Sequence, residues 1–239
     1  MKFESIPIPW EQPFQRPRPK RAGMLVDLRR CIGCHGCSVS CKTEHAVPLG
    51  SFRTRVHWIQ QPGRVQLDFV PLMCNQCTDA PCITACDSGA ITRAEDGRVT
   101  IDEDVCESGQ GCVSACPYDA ITVHPQTGKA DKCDFCEQRT DDGMNPACVD
   151  ACPTQALVFG DLDDPEDPVS RAAARPDSSH WREDTGAGPA VVYLGANSQM
   201  EKAAPKVQLG DGEAGIVYAQ PHDRHLRLGD QADNAEDQR

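Results

Sequence analysis

All fifteen cysteines of this 239-residue chain lie between Cys31 and Cys152, in four groups. The first, Cys31, Cys34, Cys37 and Cys41, has the spacing C-x2-C-x2-C-x3-C. The second, Cys74, Cys77, Cys82 and Cys86, reads C-x2-C-x4-C-x3-C. The third, Cys106, Cys112 and Cys116, is C-x5-C-x3-C-P, and the fourth, Cys133, Cys136, Cys148 and Cys152, is C-x2-C-x11-C-x3-C-P. The run C-x2-C-x2-C-x3-C-P is the one with which bacterial ferredoxins hold iron–sulfur clusters. Three cysteines three apart on a tight loop each reach a different iron of one cubane, and the fourth, beyond a short turn, ligates a second cluster. Two facing runs hold two clusters, so four runs suit four clusters arranged as two pairs.

Four complete [4Fe–4S] clusters need 4 × 4 = 16 thiolates, and the chain has 15. The vacancy falls in the third group. Counting back three residues from Cys112 gives Gly109, and three more gives Cys106. Gly109 therefore stands where a second cysteine is expected. A site with three thiolates and no fourth suits a [3Fe–4S] cluster, whose type would raise its potential relative to its neighbours. The alternatives are ligation by an oxygen of Glu107, Ser108 or Gln110, or by water.

Other chemistries fit less well. Structural zinc takes four ligands, usually as two separated pairs, and leaves the third and fourth cysteine of each run unexplained. A disulfide framework wants an even count. Cys31-Ile-Gly-Cys34-His35 matches the c-type haem attachment pattern, but Cys37 and Cys41 carry the ferredoxin register straight through it. The remaining histidines (His45, His57, His124, His180, His222 and His225) show no ligand spacing and are read as surface residues. Asp27 is likewise read as a surface residue, and Trp58 and Trp181 as packing or interface residues. There is no glycine-rich phosphate loop and no nucleophile–base pattern.

The segments that must position these thiols repeat. Ala85-Cys-Asp-Ser-Gly-Ala-Ile91, Ala115-Cys-Pro-Tyr-Asp-Ala-Ile121 and Ala151-Cys-Pro-Thr-Gln-Ala-Leu157 share one pattern. Between them lie hairpin candidates: Ile91–Arg93 and Arg98–Ile101 flank the turn pair Asp96-Gly97, and Ile121–Val123 precedes Thr127-Gly128. The Ala-rich stretch after each terminal cysteine is expected to form a short helix. The plan is α+β: duplicated bacterial-ferredoxin-like modules, with short hairpins and helices around clusters, and irregular terminal extensions. Residues 1–22 form a Pro-rich basic extension, 23–165 the double ferredoxin-like domain, and 166–239 an acidic extension. In the last, 190–195 and 214–219 look like isolated strands, the final fifteen residues look disordered, and the rest suits either a tail or an arm on a partner.

Composition narrows the function. Hydrophobic residues are 39% and aromatics 5%, too little bulky material for an ordinary core of this length, so clusters would occupy part of the interior. The net charge of −12 repels nucleic acid. No stretch approaches the roughly 18 apolar residues of a membrane span. Basic residues gather in Arg16-Pro-Arg-Pro-Lys-Arg21, and Arg29-Arg30 is a twin-arginine pair, but Cys31 follows it and no apolar segment does. Any export would therefore be in company with a signal-bearing partner.

The four groups together resemble the four-cluster iron–sulfur subunit of molybdopterin oxidoreductases of the dimethyl sulfoxide reductase type, over about residues 23–165. Met24-Leu-Val-Asp-Leu-Arg-Arg-Cys-Ile-Gly-Cys34 is similar to that family's first motif and Asn145-Pro-Ala-Cys-Val-Asp-Ala-Cys-Pro153 to its fourth. Gly160-Asp-Leu-Asp-Asp-Pro165 with Val169-Ser170 resembles members serving thiosulfate, polysulfide, tetrathionate or arsenic-oxyanion enzymes. The resemblance implies nested pairing of the groups. One cluster would take Cys31, Cys34, Cys37 and Cys152; a second Cys133, Cys136, Cys148 and Cys41; a third Cys74, Cys77, Cys82 and Cys116. The incomplete one would take Cys106, Cys112 and Cys86. Three [4Fe–4S] and one [3Fe–4S] are implied, some members also lacking a cysteine at the Gly109 slot. Asp87 departs from the family in following Cys86 where proline is usual, which bears on the local turn. Implied too are a molybdopterin catalytic subunit, a membrane subunit linked to quinone, and a non-catalytic chain passing single electrons between them at the membrane, with the periplasmic side favoured and the cytoplasmic side the alternative. The alternatives are a polyferredoxin or accessory protein of a hydrogenase or formate enzyme, and a zinc-bound scaffold.

Overall fold

The segment Ala22–Asp27 (β1) is apolar on both faces, and in the computed structural model, which describes residues 16–61 and 65–203, it is an inner strand. After it come α1 (Gly36–Glu44), the strands β2 (Thr54–Gln60) and β3 (Leu67–Met73), and α2 (Pro81–Thr84). Then follow β4 (Ile91–Arg93), β5 (Val99–Ile101), α3 (Gly111–Ala115), β6 (Ile121–Val123) and β7 (Ala130–Lys132). The polypeptide continues through α4 (Glu137–Thr140), α5 (Ala147–Asp150), β8 (Leu157–Asp161) and α6 (Pro168–Ala173). It closes with β9 (Ser178–Ser179), β10 (Val191–Leu194) and α7 (Ser198–Ala203). The mixture of short helices and strands is α+β, as the sequence predicts.

One four-stranded sheet, in the order β8-β1-β10-β9, walls one side of the cysteine-bearing region. Strand β1 runs antiparallel to β8 and parallel to β10. Alternation decides its two faces. Met24 and Val26 join Phe159, Val191 and Tyr193 in the main core, while Leu25, Val192 and Leu194 meet Val169 and Ala172 of α6. Both faces are thus covered, which is why β1 and β10 read as continuous apolar runs.

The expectation of an isolated strand at Val191–Leu194 fails. It is an inner strand, because four apolar residues in a row can be buried on both faces only inside a sheet. The sheet therefore runs across residue 165, where the change of composition suggests a boundary. The residues 1–15, the expected strand at 214–219 and the last fifteen residues lie outside the described residues.

The hairpins at 91–101 and 121–132 form as expected, with Ile91 opposite Ile101 and Ile121 opposite Lys132. A longer hairpin, β2–β3, connects the first and second cysteine groups. The expected helices after the terminal cysteines do not form. The helices α2, α3 and α5 come before them, and the chain then turns into a strand. A left-handed residue turns the chain ahead of each strand: Gly89 (φ 70°), Asp119 (φ 49°) and Gln155 (φ 53°) each stand three residues past the cysteine. Their amides bond back to the carbonyls of Cys86, Cys116 and Cys152 at 3.1, 3.3 and 3.1 Å. Asp87 in place of proline leaves this turn unchanged.

Two histidines read as surface residues are inside. His57, on β2, is buried, and burial together with the charge of Arg55 lowers its pKa to about 4. An imidazole whose folded pKa lies below its ordinary 6.5 must be neutral for the fold to be most stable. Stability is therefore complete above pH 6.5 and falls as pH drops toward about 4, a difference of about 3 kcal/mol when fully traversed. His57→Phe is expected to flatten that limb in denaturant titrations at stepped pH, and an unchanged acid limb would refute this assignment.

Candidate metal centres

The leading cysteine of each group opens a loop whose backbone recurs four times. The residue two places after the leading cysteine is left-handed in every group: Gly33 (φ 67°), Gln76 (φ 48°), Ser108 (φ 61°) and Phe135 (φ 58°). Turning the chain there aims the next side chain back to the same side as the first. In the first and third groups a second left-handed residue follows two places on, His35 and Gln110, and each is the N-cap of a helix, α1 and α3. Cys37 and Cys112 occupy the second position of those helices. Gly109 therefore holds the place in the third loop that Cys34 holds in the first.

Only glycine is easy at Gly33, since an added Cβ would lie 2.4 Å from the Phe69 ring. Gly33→Ala is expected to destabilise by about 1–3 kcal/mol through overpacking, on top of the cost of a left-handed alanine. Earlier thermal loss of the visible absorbance is the measurement.

The loops face one another in two pairs. Gly36, before Cys37, comes so close to the Ala151 carbonyl that a Cβ would be 3.3 Å from it, and Gly111, before Cys112, has the same relation to the Ala85 carbonyl at 2.8 Å. The first group thus meets the fourth, and the third meets the second. Helix α1 packs on α5, and α2 on α3.

Four sets of thiols result. Cys31 feels the charges of Cys152 and Cys34, and Cys37 those of Cys31 and Cys152. Cys133 is within reach of Cys41 and Cys148, and Cys148 of Cys136 and Cys41. Cys77 has Cys74, Cys116 and Cys82 as neighbours, and Cys112 has Cys86 and Cys106. Thiols of different sets are neighbours as well: Cys133 with Cys74, Cys148 with Cys37 and Cys82 with Cys112.

Burial sets the acidity of most of these groups. It pushes Cys37, Cys116 and Cys136 up to about 11 and Cys41 and Cys77 up to about 12. Cys133 and Cys148, both buried, are raised well above the usual value for the same reason. Such thiols stay protonated in an apolar interior and ionise only against a cation, which is what a metal centre supplies. Burial also opposes ionisation of Cys86 and Cys152, but there it is outweighed. The Ser88 hydroxyl and the amides of Gly89, Ala90 and Ile91 hold Cys86 below its usual value, and Thr154 and the amide of Ala156 do the same for Cys152. The Ala156 amide lies 3.2 Å from Cys152 Sγ and the Ala120 amide 3.5 Å from Cys116 Sγ. These donors come from the repeated turn after each terminal cysteine.

A cavity of about 140 Å³ lies at the fourth set, lined by Cys86, Cys106 and Cys112 together with Ser88 and Gly109. Glu107, Ser108 and Gln110 also reach its wall. Cys34, at the opposite end of the series, is exposed, beside the exposed Ile32 and Val39. The donors gathered here are soft sulfur ligands, which fit iron–sulfur clusters.

Sequence reasoning misses His45. It reads as a surface residue, yet its Nε2 lies 3.1 Å from Cys136 Sγ and its side chain is 7% exposed. Its place four residues after Cys41, at the end of α1, is the only signal in the sequence. Trp181 and Trp58 pack as expected, the first against Tyr193 and the second against Phe69. Asp27 pairs with Arg29 at 2.8 Å.

Residues 65–162 match the 4Fe-4S dicluster domain family. The chain is 40% identical over 181 residues to a tetrathionate reductase subunit of Salmonella typhimurium, an alignment covering 73% of this chain and 72% of the relative. It is 34% identical to a putative dimethyl sulfoxide reductase iron-sulfur subunit of Halobacterium salinarum, over 80% of this chain and 87% of that one. Identity to a thiosulfate reductase electron transfer subunit of Salmonella typhi is 44%, over 60% and 77%.

Proposed function

This protein belongs to the family of iron–sulfur electron-transfer subunits of reductases to which those relatives belong, and on that premise we propose that it relays single electrons between a molybdopterin catalytic subunit and a quinone-linked membrane subunit. When bound, iron–sulfur clusters supply one-electron exchange with no bond making. The chain's own work is to hold the thiolates, to bury them and to aim amides at their sulfurs. It carries out no substrate chemistry.

The observation that carries the reading is the order of the four sets. Neighbouring sets come within electrostatic reach of one another, Cys37 of Cys148, Cys133 of Cys74, and Cys82 of Cys112. They therefore form a row, with the set of Cys31 at one end and that of Cys106 at the other. The exposed Cys34 and the cavity at Gly109 mark the two ends of the row. A store of reducing equivalents needs no ordered row with two accessible ends; a conductor does.

The ligand sets proposed are Cys31, Cys34, Cys37 and Cys152; Cys41, Cys133, Cys136 and Cys148; Cys74, Cys77, Cys82 and Cys116; and, for [3Fe–4S], Cys86, Cys106 and Cys112. Three [4Fe–4S] and one [3Fe–4S] make the complement. Recurrence of the cysteine loop, the left-handed turn and the hairpin supports a duplicated ferredoxin-like module within residues 23–165. Among the described residues no helix is long and apolar enough to cross a membrane, so attachment would come through the membrane partner. We place the complex on the periplasmic side, through co-export with a signal-bearing partner. The segments 1–22 and 166–239 would be the extensions on either side of it.

Anaerobic purification tests the reading. Iron with acid-labile sulfide and a co-purifying molybdopterin subunit are expected. Zinc without labile sulfide would overturn the cofactor assignment, and a hydrogenase or formate enzyme as sole companion would overturn the partner.

A further inference from the structure

Cys136 has a side chain against its sulfur that no cysteine spacing accounts for. His45 Nε2 lies 3.1 Å from Cys136 Sγ, and His45 Nδ1 lies 2.9 Å from Nη1 of Arg53. A guanidinium has five donors and no acceptor. Arg53 must therefore donate to Nδ1, so the ring hydrogen sits on Nε2, aimed at the sulfur. Arg53 is itself fixed. Asp131 accepts from its Nη2 at 2.7 Å, and Asp134 accepts from its Nη1 at 3.0 Å. The other oxygen of Asp134 accepts the Cys136 amide at 2.7 Å, so one carboxylate sets both the cysteine loop and the arginine. Arg53 is 12% exposed and His45 7%, which leaves little room for water to substitute for either.

We infer that His45 is a positioning residue that donates its Nε2 hydrogen to Cys136 Sγ and so raises the reduction potential of the centre this cysteine ligates. A hydrogen bond to a ligand sulfur draws negative charge from it, and the reduced state, being more negative, gains more than the oxidised one. The inference rests on the reading of Cys136 as a cluster ligand. It makes one of the three four-thiol sites distinct through Asp131, Arg53 and His45, which lie outside the cysteine motifs, and through Asp134, which stands between Cys133 and Cys136.

The test is an EPR-monitored redox titration of the intact complex. His45→Phe is expected to lower the midpoint potential of one cluster signal and to leave the other three, with iron and sulfide content, unchanged. Arg53→Met, which frees the ring to adopt the other tautomer and also removes a cation acting on Cys41, should lower the same signal as well. In wild-type complex labelled with ¹⁵N-histidine, that same signal should carry a weak nitrogen hyperfine coupling that His45→Gln removes. An unchanged titration in His45→Phe with full iron content overturns the inference. So does a missing histidine coupling in the wild type, which remains readable if His45→Phe fails to assemble. A coupling as large as that of a direct iron–nitrogen bond overturns it too, by making His45 a ligand. Wild-type complex without iron or labile sulfide sinks the underlying cluster reading instead, and is seen before any variant is made.

Discussion

Gly109→Cys is expected to abolish the three-iron EPR signal of the oxidised protein, to add one iron per chain and to lower the potential of that site. The backbone is already suited to it. Gly109 is not left-handed, while Ser108 and Gln110 on either side are, at φ 61° and 56°. The same pattern flanks Cys34, where Gly33 and His35 have φ 67° and 59°. A Cβ on Gly109 would meet nothing within 4 Å, and the residue lines the cavity beside Cys86, Cys106 and Cys112. Replacing a glycine whose backbone any residue can adopt costs nothing in the folded state and stabilises by about 0.4–1 kcal/mol through the unfolded chain. Gly109→Ala should therefore fold as well as the cysteine variant and keep the three-iron signal. A cysteine variant that retains the three-iron signal would show that the missing thiolate is not what limits the site. Wild-type protein with four irons there would instead favour ligation by Glu107, Ser108, Gln110 or water, and Gly109→Ala would then leave those oxygens in place.

The cysteine groups were legible because their spacing is chemistry written locally: three residues apart on a loop suits one cluster. The hairpins were legible for a similar reason, since Asp96-Gly97 and Thr127-Gly128 declare their turns. The nested pairing was not. Spacing within a group is silent about which group faces it, and the contacts of Gly36 with Ala151 and of Gly111 with Ala85 are set by tertiary packing. Val191–Leu194 was misread for a like reason: a parallel partner 167 residues away, Met24 for Val191, leaves no local trace. His45, His57, Arg53 and Arg98 were missed because a polar residue looks solvent-bound until its partner is known. Arg98, 1% exposed, pairs with Asp96 and Asp141, both at 2.7 Å, and receives Thr140 Oγ1 as a third acceptor at 3.0 Å. It thereby fastens the turn before β5 to the end of α4.

Lys132→Met is expected to lower the potentials of two adjacent centres together, those ligated by Cys133 and by Cys82. Lys132 ends β7 and is 3% exposed. Its Nζ donates to the carbonyls of Val99 and Cys133, the latter at 3.2 Å. Neither acceptor carries a charge, and a buried ammonium answered only by carbonyls is costly. The anions that answer it are the thiolates. Its charge acts on Cys82, in the third set, while its own backbone adjoins Cys133, in the second. Those two sets meet where Cys133 approaches Cys74, so the cation stands at the middle junction of the row. A unit charge ~6 Å away in an effective dielectric of ~20 is worth about 3 kcal/mol. For a one-electron couple that is on the order of 100 mV, taking 59 mV per tenfold change. The reduced state of each centre is the more negative, so removal of the cation must lower both potentials and slow electron passage through the middle of the row. Lys132→Gln should give nearly the same shift, because it keeps a donor and removes the charge; Lys132→Arg should give little. A titration in which Gln behaves like wild type and only Met shifts the signals would assign the effect to the hydrogen bonds at Val99 and Cys133, and the electrostatic account would fall.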